Sequence, residues 1–257
     1  MADAVEHLSG EFPTLDVRVR AGWGDGLTAQ VGAGDLDAAI IMLPTGTLRF
    51  GMSQAIGDVI MADAVEQLSG EFPTLDVRVR AGWGAGLADQ VSAGELDAAI
   101  VMLPAGTQPA APLIGRTIAT ADVAIVQSRR RPRVRKAVAL ADLAKQDWIL
   151  NPIGCGYRAG LESAMGESGR SLRIAIDTYG TEVQLRMIAS GLGLGLAPRS
   201  VLRASASRDE IAIVEATDFA MQLDIWLIHL KEFGNLKRAI EALTGTVADG
   251  FARYAAA

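Results

Sequence analysis

Cysteine is almost absent from this chain: Cys155 stands alone among 257 residues, and only two histidines, His7 and His229, accompany it. A single thiol excludes an intrachain disulfide and a cysteine-rich zinc site, and two imidazoles add too few soft ligands for a transition-metal centre. No cofactor is expected. Basic charge is also short. With 24 Lys and Arg against 30 Asp and Glu, the net charge of −6 speaks against a protein that coats nucleic acid. No stretch approaches about 18 consecutive apolar residues, so no membrane span is expected. The opening Met1-Ala2-Asp3-Ala4-Val5-Glu6 has neither the basic start nor the apolar core of a secretory signal. No G-x-S-x-G, P-loop or HExxH pattern occurs, and we expect no enzyme. What is present is half apolar and 21% charged, with 28 glycines. That composition suits a soluble, cytoplasmic α/β protein with room for two cores.

The first half is dominated by a repeat. Residues 1–47 and 61–107 align without a gap and differ only at His7/Gln67, Asp25/Ala85, Thr28/Ala88, Ala29/Asp89, Gly32/Ser92, Asp35/Glu95, Ile41/Val101 and Thr45/Ala105. Repeat architectures stack three or more diverged units. Two near-identical copies instead indicate a partial tandem duplication of an α-β-α-β segment. Only the second copy is preceded by Leu48-Arg49-Phe50-Gly51-Met52-Ser53, an apolar run that reads as an opening strand. Residues 48–257 are therefore read as the working part. The duplicate 1–47 carries seven acids and two arginines, so −5 of the −6 net charge lies there.

Within the working part, apolar residues at Ile56, Val59, Ile60, Ala64, Val65 and Leu68 keep a helical spacing, which Pro73 ends. Residues 75–80 alternate as a half-exposed strand does, 84–93 form a short helix closed by Gly94, and 96–103 read as a buried strand. This rhythm means βαβ units and a mainly parallel sheet. Further strands are expected at 123–127, 148–150, 172–177, 194–198, 211–214 and 223–230, with helices at 140–143, 157–167, 181–191 and 235–254. Two α/β lobes fit these elements better than one continuous sheet.

The phrases LRFGMSQAIGDVIMADAVEQLSGEFPTLDVRVRAG, GELDAAIVMLP, LADLAKQDWILNPIGCGYR and TYGTEVQLRMIASGLGLGLAPRSVL, in that order, resemble the effector-binding domain of LysR-type transcriptional regulators. The resemblance covers essentially all of 48–257. It implies the fold of type-2 periplasmic binding proteins: two Rossmann-like lobes joined by two crossover strands, with a small molecule in the cleft. Mapped here, the first lobe comprises 48–118 and 219–257 and the second 119–218. Members of the family carry an N-terminal winged helix-turn-helix. The duplicated 1–47 stands in its place, so the resemblance implies a sensor that does not itself bind DNA.

In an open α/β sheet, ligands bind beyond the carboxyl ends of the strands, where helix N-termini present free N–H groups. Three such junctions suit a carboxylate or another small anion: Ser53-Gln54, Asn151 to Gly156, and Tyr179-Gly180-Thr181. The resemblance implies effector contacts at Ser53, Gln54, Trp83, Gly84, Met102, Pro152, Ile153, Gly154, Cys155 and Thr181. Arg158, one turn into its helix, would pair with a ligand carboxylate. Plainer readings stand beside these. Ser53 and Thr181 suit helix capping, Pro152 a turn, Trp83 packing between lobes, and Arg158 a salt bridge. Cys155 reads as structural or pocket-lining, with redox sensing as the alternative. The basic run Ser128 to Lys136 reads as a solvated loop rather than a nucleic-acid patch, and Gly191 to Gly195 as tight helix–strand packing.

The function expected is therefore a sensor for a small anionic metabolite, working as a homodimer that exchanges residues 1–47 between copies. The alternatives are an interaction protein that joins full-length regulators and a stand-alone solute-binding protein.

Overall fold

The structure is a computed structural model that describes residues 30, 31, 33–37, 45–230 and 233–256. The chain divides into two compact units, 1–43 and 44–257. In the first, the described residues form a turn in which Gly34 N donates to Val31 O (3.1 Å) and Asp35 N to Gln30 O (2.8 Å). The second copy repeats it: Gly94 N donates to Val91 O (3.0 Å) and Glu95 N to Gln90 O (2.9 Å). Gly34 and Gly94 hold φ at 77° and 71°, the left-handed conformation that ends a helix and that glycine adopts without strain. The remainder of the expected α-β-α-β duplicate lies outside the described residues.

The second unit opens with β1 (Gly46–Ser53), α1 (Gln54–Glu71), β2 (Leu75–Gly82), α2 (Gly84–Ser92) and β3 (Ala98–Pro104). β1 pairs in parallel with β2 on one side and β3 on the other. Leu48, Phe50 and Met52 are buried, whereas β2, at the sheet edge, buries Leu75 and leaves Asp76 exposed. α1 covers this sheet through Ala55, Ile56, Ile60, Ala64 and Leu68, a stripe at helical spacing.

β4 (Ile114–Ser128) is fifteen residues long and serves both lobes. Residues 114–123 pair antiparallel with β9 (Met221–His229), which itself pairs with β3. Residues 123–128 pair with β7 (Gly195–Pro198) on one side and β8 (Ile211–Val214) on the other. The second lobe adds β5 (Asp147–Leu150), α3 (Gly156–Glu167), β6 (Arg173–Asp177), α4 (Thr181–Ala189) and α5 (Arg199–Ala204). β5 and β6 are parallel, and Ile149 N donates to Leu194 O (2.8 Å), which brings β5 alongside the start of β7. The last helix, α6 (Lys237–Ala256), buries Ile240, Leu243 and Val247.

The sequence therefore read the βαβ rhythm correctly but not the sheet as a whole. β4 joins seven strands into one sheet, six along a continuous path (β2-β1-β3-β9-β4-β7) with β8 branching from β4, and every pair β4 forms is antiparallel. Its first part escaped the pattern because 114–119 is exposed or half-buried, while 123–128 is buried throughout. α5 escaped because it follows Pro198 directly and spans only six residues. The basic loop works within its own lobe: Arg129 donates to Asp209 O (3.0 Å) and Ile211 O (2.9 Å), and Arg133 to Leu192 O (2.8 Å).

Candidate functional site

In both lobes, parallel strands end where helices begin. β1 and β2 end in register at Ser53 and Gly82, and α1 and α2 start within two residues. β5 and β6 end at Leu150 and Asp177, and short loops lead into α3 and α4. The first amides of a helix have no partner within it, so each of these helix ends carries roughly half a positive charge.

Backbone contacts bring the ends together. A Cβ placed on Gly156 would lie 2.7 Å from Met102 O, so α3 rests directly on β3. A Cβ on Gly154 would lie 3.8 Å from Trp83 Cβ, and one on Gly84 would lie 3.6 Å from Met102 O. Trp83, Gly84, Met102, Gly154 and the α3 N-terminus at Cys155 thus form one cluster. α1 reaches α4 through a second cluster. Thr181 N donates to Asp58 Oδ2 (3.2 Å), and Gln54 Nε2 donates to Asp58 Oδ1 (2.8 Å).

The remaining candidates fall unevenly around these clusters. Ser53 is buried and makes no side-chain capping bond to α1. Gly180, not Thr181, occupies the cap position of α4. Pro152 is half-buried and its carbonyl accepts from Cys155 N (3.1 Å), closing a turn. Ile153, 83% exposed, stands outside the clusters. Arg158 is buried and its guanidinium is taken: it donates to Glu162 (2.8 Å), to Asn151 O (3.1 Å) and to Asp177. Burial works against its charge, but those carboxylates outweigh it and raise its pKa. The salt-bridge reading describes its contacts.

Sequence reasoning did not find the polar network under the site. Asn151 Nδ2 donates to the Tyr157 hydroxyl and to Gln184 Oε1 (3.0 Å), and Gln184 Nε2 donates to Ile149 O (2.8 Å). Two atoms in this region stay unsatisfied: Asn151 Oδ1 and Thr181 Oγ1, on residues 0% and 1% exposed. Thr181 lies near enough to the Tyr157 hydroxyl to influence it, but without hydrogen-bond geometry. Burial pushes the Tyr157 hydroxyl well above the usual tyrosine range, Cys155 adds to that, and Asn151 and Thr181 partly offset it. Burial likewise raises the pKa of Cys155, outweighing the bonds from Arg158 and Tyr157 that favour the thiolate. A buried, protonated thiol is a poor nucleophile, which supports the structural reading of Cys155. The one available signal was Gln184, polar on the buried stripe of α4.

A cavity of about 500 Å³ opens elsewhere, between β4, β8 and residues 215–221, and none of the candidates lines it. Among the described residues, no group of three or more His, Cys, Asp or Glu side chains is placed to hold a metal ion. No helix among them is long and apolar enough to cross a membrane.

The arrangement can be set beside known proteins. The family model described as LysR substrate binding domain matches residues 42–252. The HTH-type transcriptional regulator CysL of Bacillus subtilis (strain 168) is 23% identical over 193 residues, covering 75% of this chain and 64% of CysL. The chain thus spans somewhat less than two thirds of that relative. Among solved structures, the reduced form of the regulatory domain of OxyR2 from Vibrio vulnificus superposes with a TM-score of 0.63 at 18% identity, over 83% of this chain and 99% of that one. The effector-binding domain of QuiR in complex with shikimate gives a TM-score of 0.62 at 14% identity, over 80% of this chain and 96% of that one. These structures share the two-lobed, periplasmic-binding-protein-like fold. By the family match across 42–252, the chain belongs to the LysR substrate-binding domain family.

Proposed function

We propose that residues 48–257 sense a small anionic metabolite, held between a first lobe of 48–118 and 219–257 and a second lobe of 119–218. The observation that carries this reading is the unsatisfied Thr181 hydroxyl at the N-terminus of α4, an end that α1 reaches through Asp58. A buried hydroxyl left without a partner costs about 1–3 kcal/mol, and an anion accepting from it and from free helix amides recovers that cost. Ser53, Gln54, Trp83, Gly84, Met102, Pro152, Gly154 and Thr181 are the proposed contacts. Ile153 flanks the mouth, Cys155 lines the wall, and Arg158 braces α3 without reaching the ligand. QuiR, of the same fold, binds shikimate in its solved complex. Binding would shift the lobes about β4. The protein would act in the cytoplasm as a regulator module.

A thermal-shift screen of the intact chain against small carboxylates, amino acids, aromatics and sugar phosphates tests this. A ligand at 100 times its Kd adds about 2.7 kcal/mol of stability. We expect at least one anionic hit, lost in Ser53→Ala; silence across the panel counts against the reading.

The duplication favours a second element, self-association. By the offset of 60, residues 38–44 match β3, which in the second copy runs parallel to β1. A segment duplicated this closely can take the place of its copy in a second molecule. We expect a dimer that becomes a monomer when 1–43 is deleted. An unchanged oligomeric state in light scattering would remove the exchange. Heteromeric pairing with full-length regulators would appear instead as co-purification.

A further inference from the structure

We propose that Asp58 is a built-in stand-in for the effector's anionic group: a carboxylate on α1 that caps α4 across the cleft and must be displaced before an anion can bind there. This rests on the reading of the crevice as an effector site and adds how that site is regulated and what it selects.

Asp58 is exposed, and two donors hold it. The Gln54 amide, one turn earlier, fixes Oδ1 at 2.8 Å, and the Thr181 N–H takes Oδ2 at 3.2 Å. The second bond spans 123 residues and joins α1 to the first amide of α4. A carboxylate on a helix N-terminus is the arrangement such a terminus offers to a bound anion. Here the protein supplies the carboxylate itself. Its capping is incomplete, because the Thr181 hydroxyl beside the same amide stays buried and without a partner. The α4 terminus is therefore occupied by an anion that satisfies one of two adjacent donors.

The chemistry of the displacing ligand follows. It must present at least two acceptor oxygens, one for the amide and one for the hydroxyl, which a carboxylate, sulfate or phosphate does. It must also tolerate the displaced Asp58 nearby, since two like charges at close range repel. A ligand with a hydroxyl or ammonium beside its anionic group gives Asp58 a new donor; a plain anion does not. The latch thus selects hydroxy acids and amino acids over simple carboxylates.

Inorganic sulfate, which accepts but does not donate, is the direct probe, read at the Thr181 amide of the full chain by NMR. In Asp58→Ala, exchange of the Thr181 amide with solvent should quicken at least fivefold without any ligand. In Asp58→Asn, which removes the charge and keeps an acceptor, sulfate should perturb that amide at a concentration at least tenfold lower than in the parent chain. Gln54→Ala, which keeps the charge and loosens its hold, should fall between. Unchanged Thr181 exchange in Asp58→Ala, or a sulfate response in Asp58→Asn within twofold of the parent, overturns the latch. Neither arm needs the natural effector. If the metabolite screen finds nothing while exchange and sulfate respond as stated, the effector reading falls and the latch stands. If a metabolite binds and Asp58 variants behave like the parent, the latch falls and the effector reading stands.

Discussion

Replacing Thr181 with valine should make the free protein more stable and the liganded protein much weaker. Valine keeps the branched shape and removes a hydroxyl that is 1% exposed and makes no hydrogen bond. An unsatisfied buried hydroxyl costs about 1–3 kcal/mol, so stability should rise by roughly 1 kcal/mol or more. The urea midpoint should move up with an unchanged slope. Affinity for an anionic effector should drop about 10- to 100-fold, because a hydrogen bond to a charged group is worth about 1.5–3 kcal/mol. Opposite signs for stability and binding are the mark of a group kept for its ligand. A loss of stability in Thr181→Val would instead mean that the hydroxyl has a native partner, with Tyr157 the first candidate, and would remove it from the site.

The strand-to-helix positions of Ser53 and Thr181 were legible because apolar periodicity locates such junctions, whereas Gly84 entered only through the family resemblance. The same logic could not see Asp58. Its partner is 123 residues away on another lobe, and in the sequence it is one acid among several along α1. Asn151, Tyr157 and Gln184 were hidden for a related reason. Tyr157 is an aromatic that suits a core, Gln184 is a lone polar residue on an otherwise apolar stripe, and only the packing of α3 against α4 makes them a shared network. Arg158 shows the converse. Its place near a helix start suggested a ligand partner, but Asp177 at the end of β6 and Glu162 one turn on reach it first.

The fold shows a similar division. β1 and β3, buried on both faces, announce themselves as apolar runs, and α1 by its stripe. β4 does not, because one strand passes through two environments, exposed at 114–117 and buried at 123–128. A window reading of hydrophobicity catches only its second half. The crossover that makes the molecule two-lobed is therefore the element least visible to periodicity. The family resemblance supplied it before the pattern did.

Substituting the glycines of α3 one at a time should grade the contact between the lobes. Gly156→Ala should cost the most, about 1–3 kcal/mol, and should abolish or sharply weaken effector binding. The added Cβ would sit 2.7 Å from the Met102 carbonyl oxygen, inside van der Waals contact. Met102 pairs with Ile225 in the β3–β9 ladder, so its carbonyl is not free to swing aside. α3 must then lift from β3, which separates Gly154 from Trp83 and moves a helix end out of the crevice. At Gly160 the nearest atom is the terminal methyl of Met221, also at 2.7 Å, and a flexible thioether yields at small cost. At Gly166 nothing lies within 4 Å, and alanine should stabilise the helix by about 0.5–1 kcal/mol. All three sites share one helix, and the propensity gain of alanine, largest at the interior Gly160, differs between them by less than their surroundings do. Thermal melts of the three variants should therefore rank Gly166→Ala above Gly160→Ala above Gly156→Ala, with binding lost only in the last. Equal melting and intact binding in Gly156→Ala would mean that α3 does not rest on β3 in solution, and that the crevice stands open without its effector.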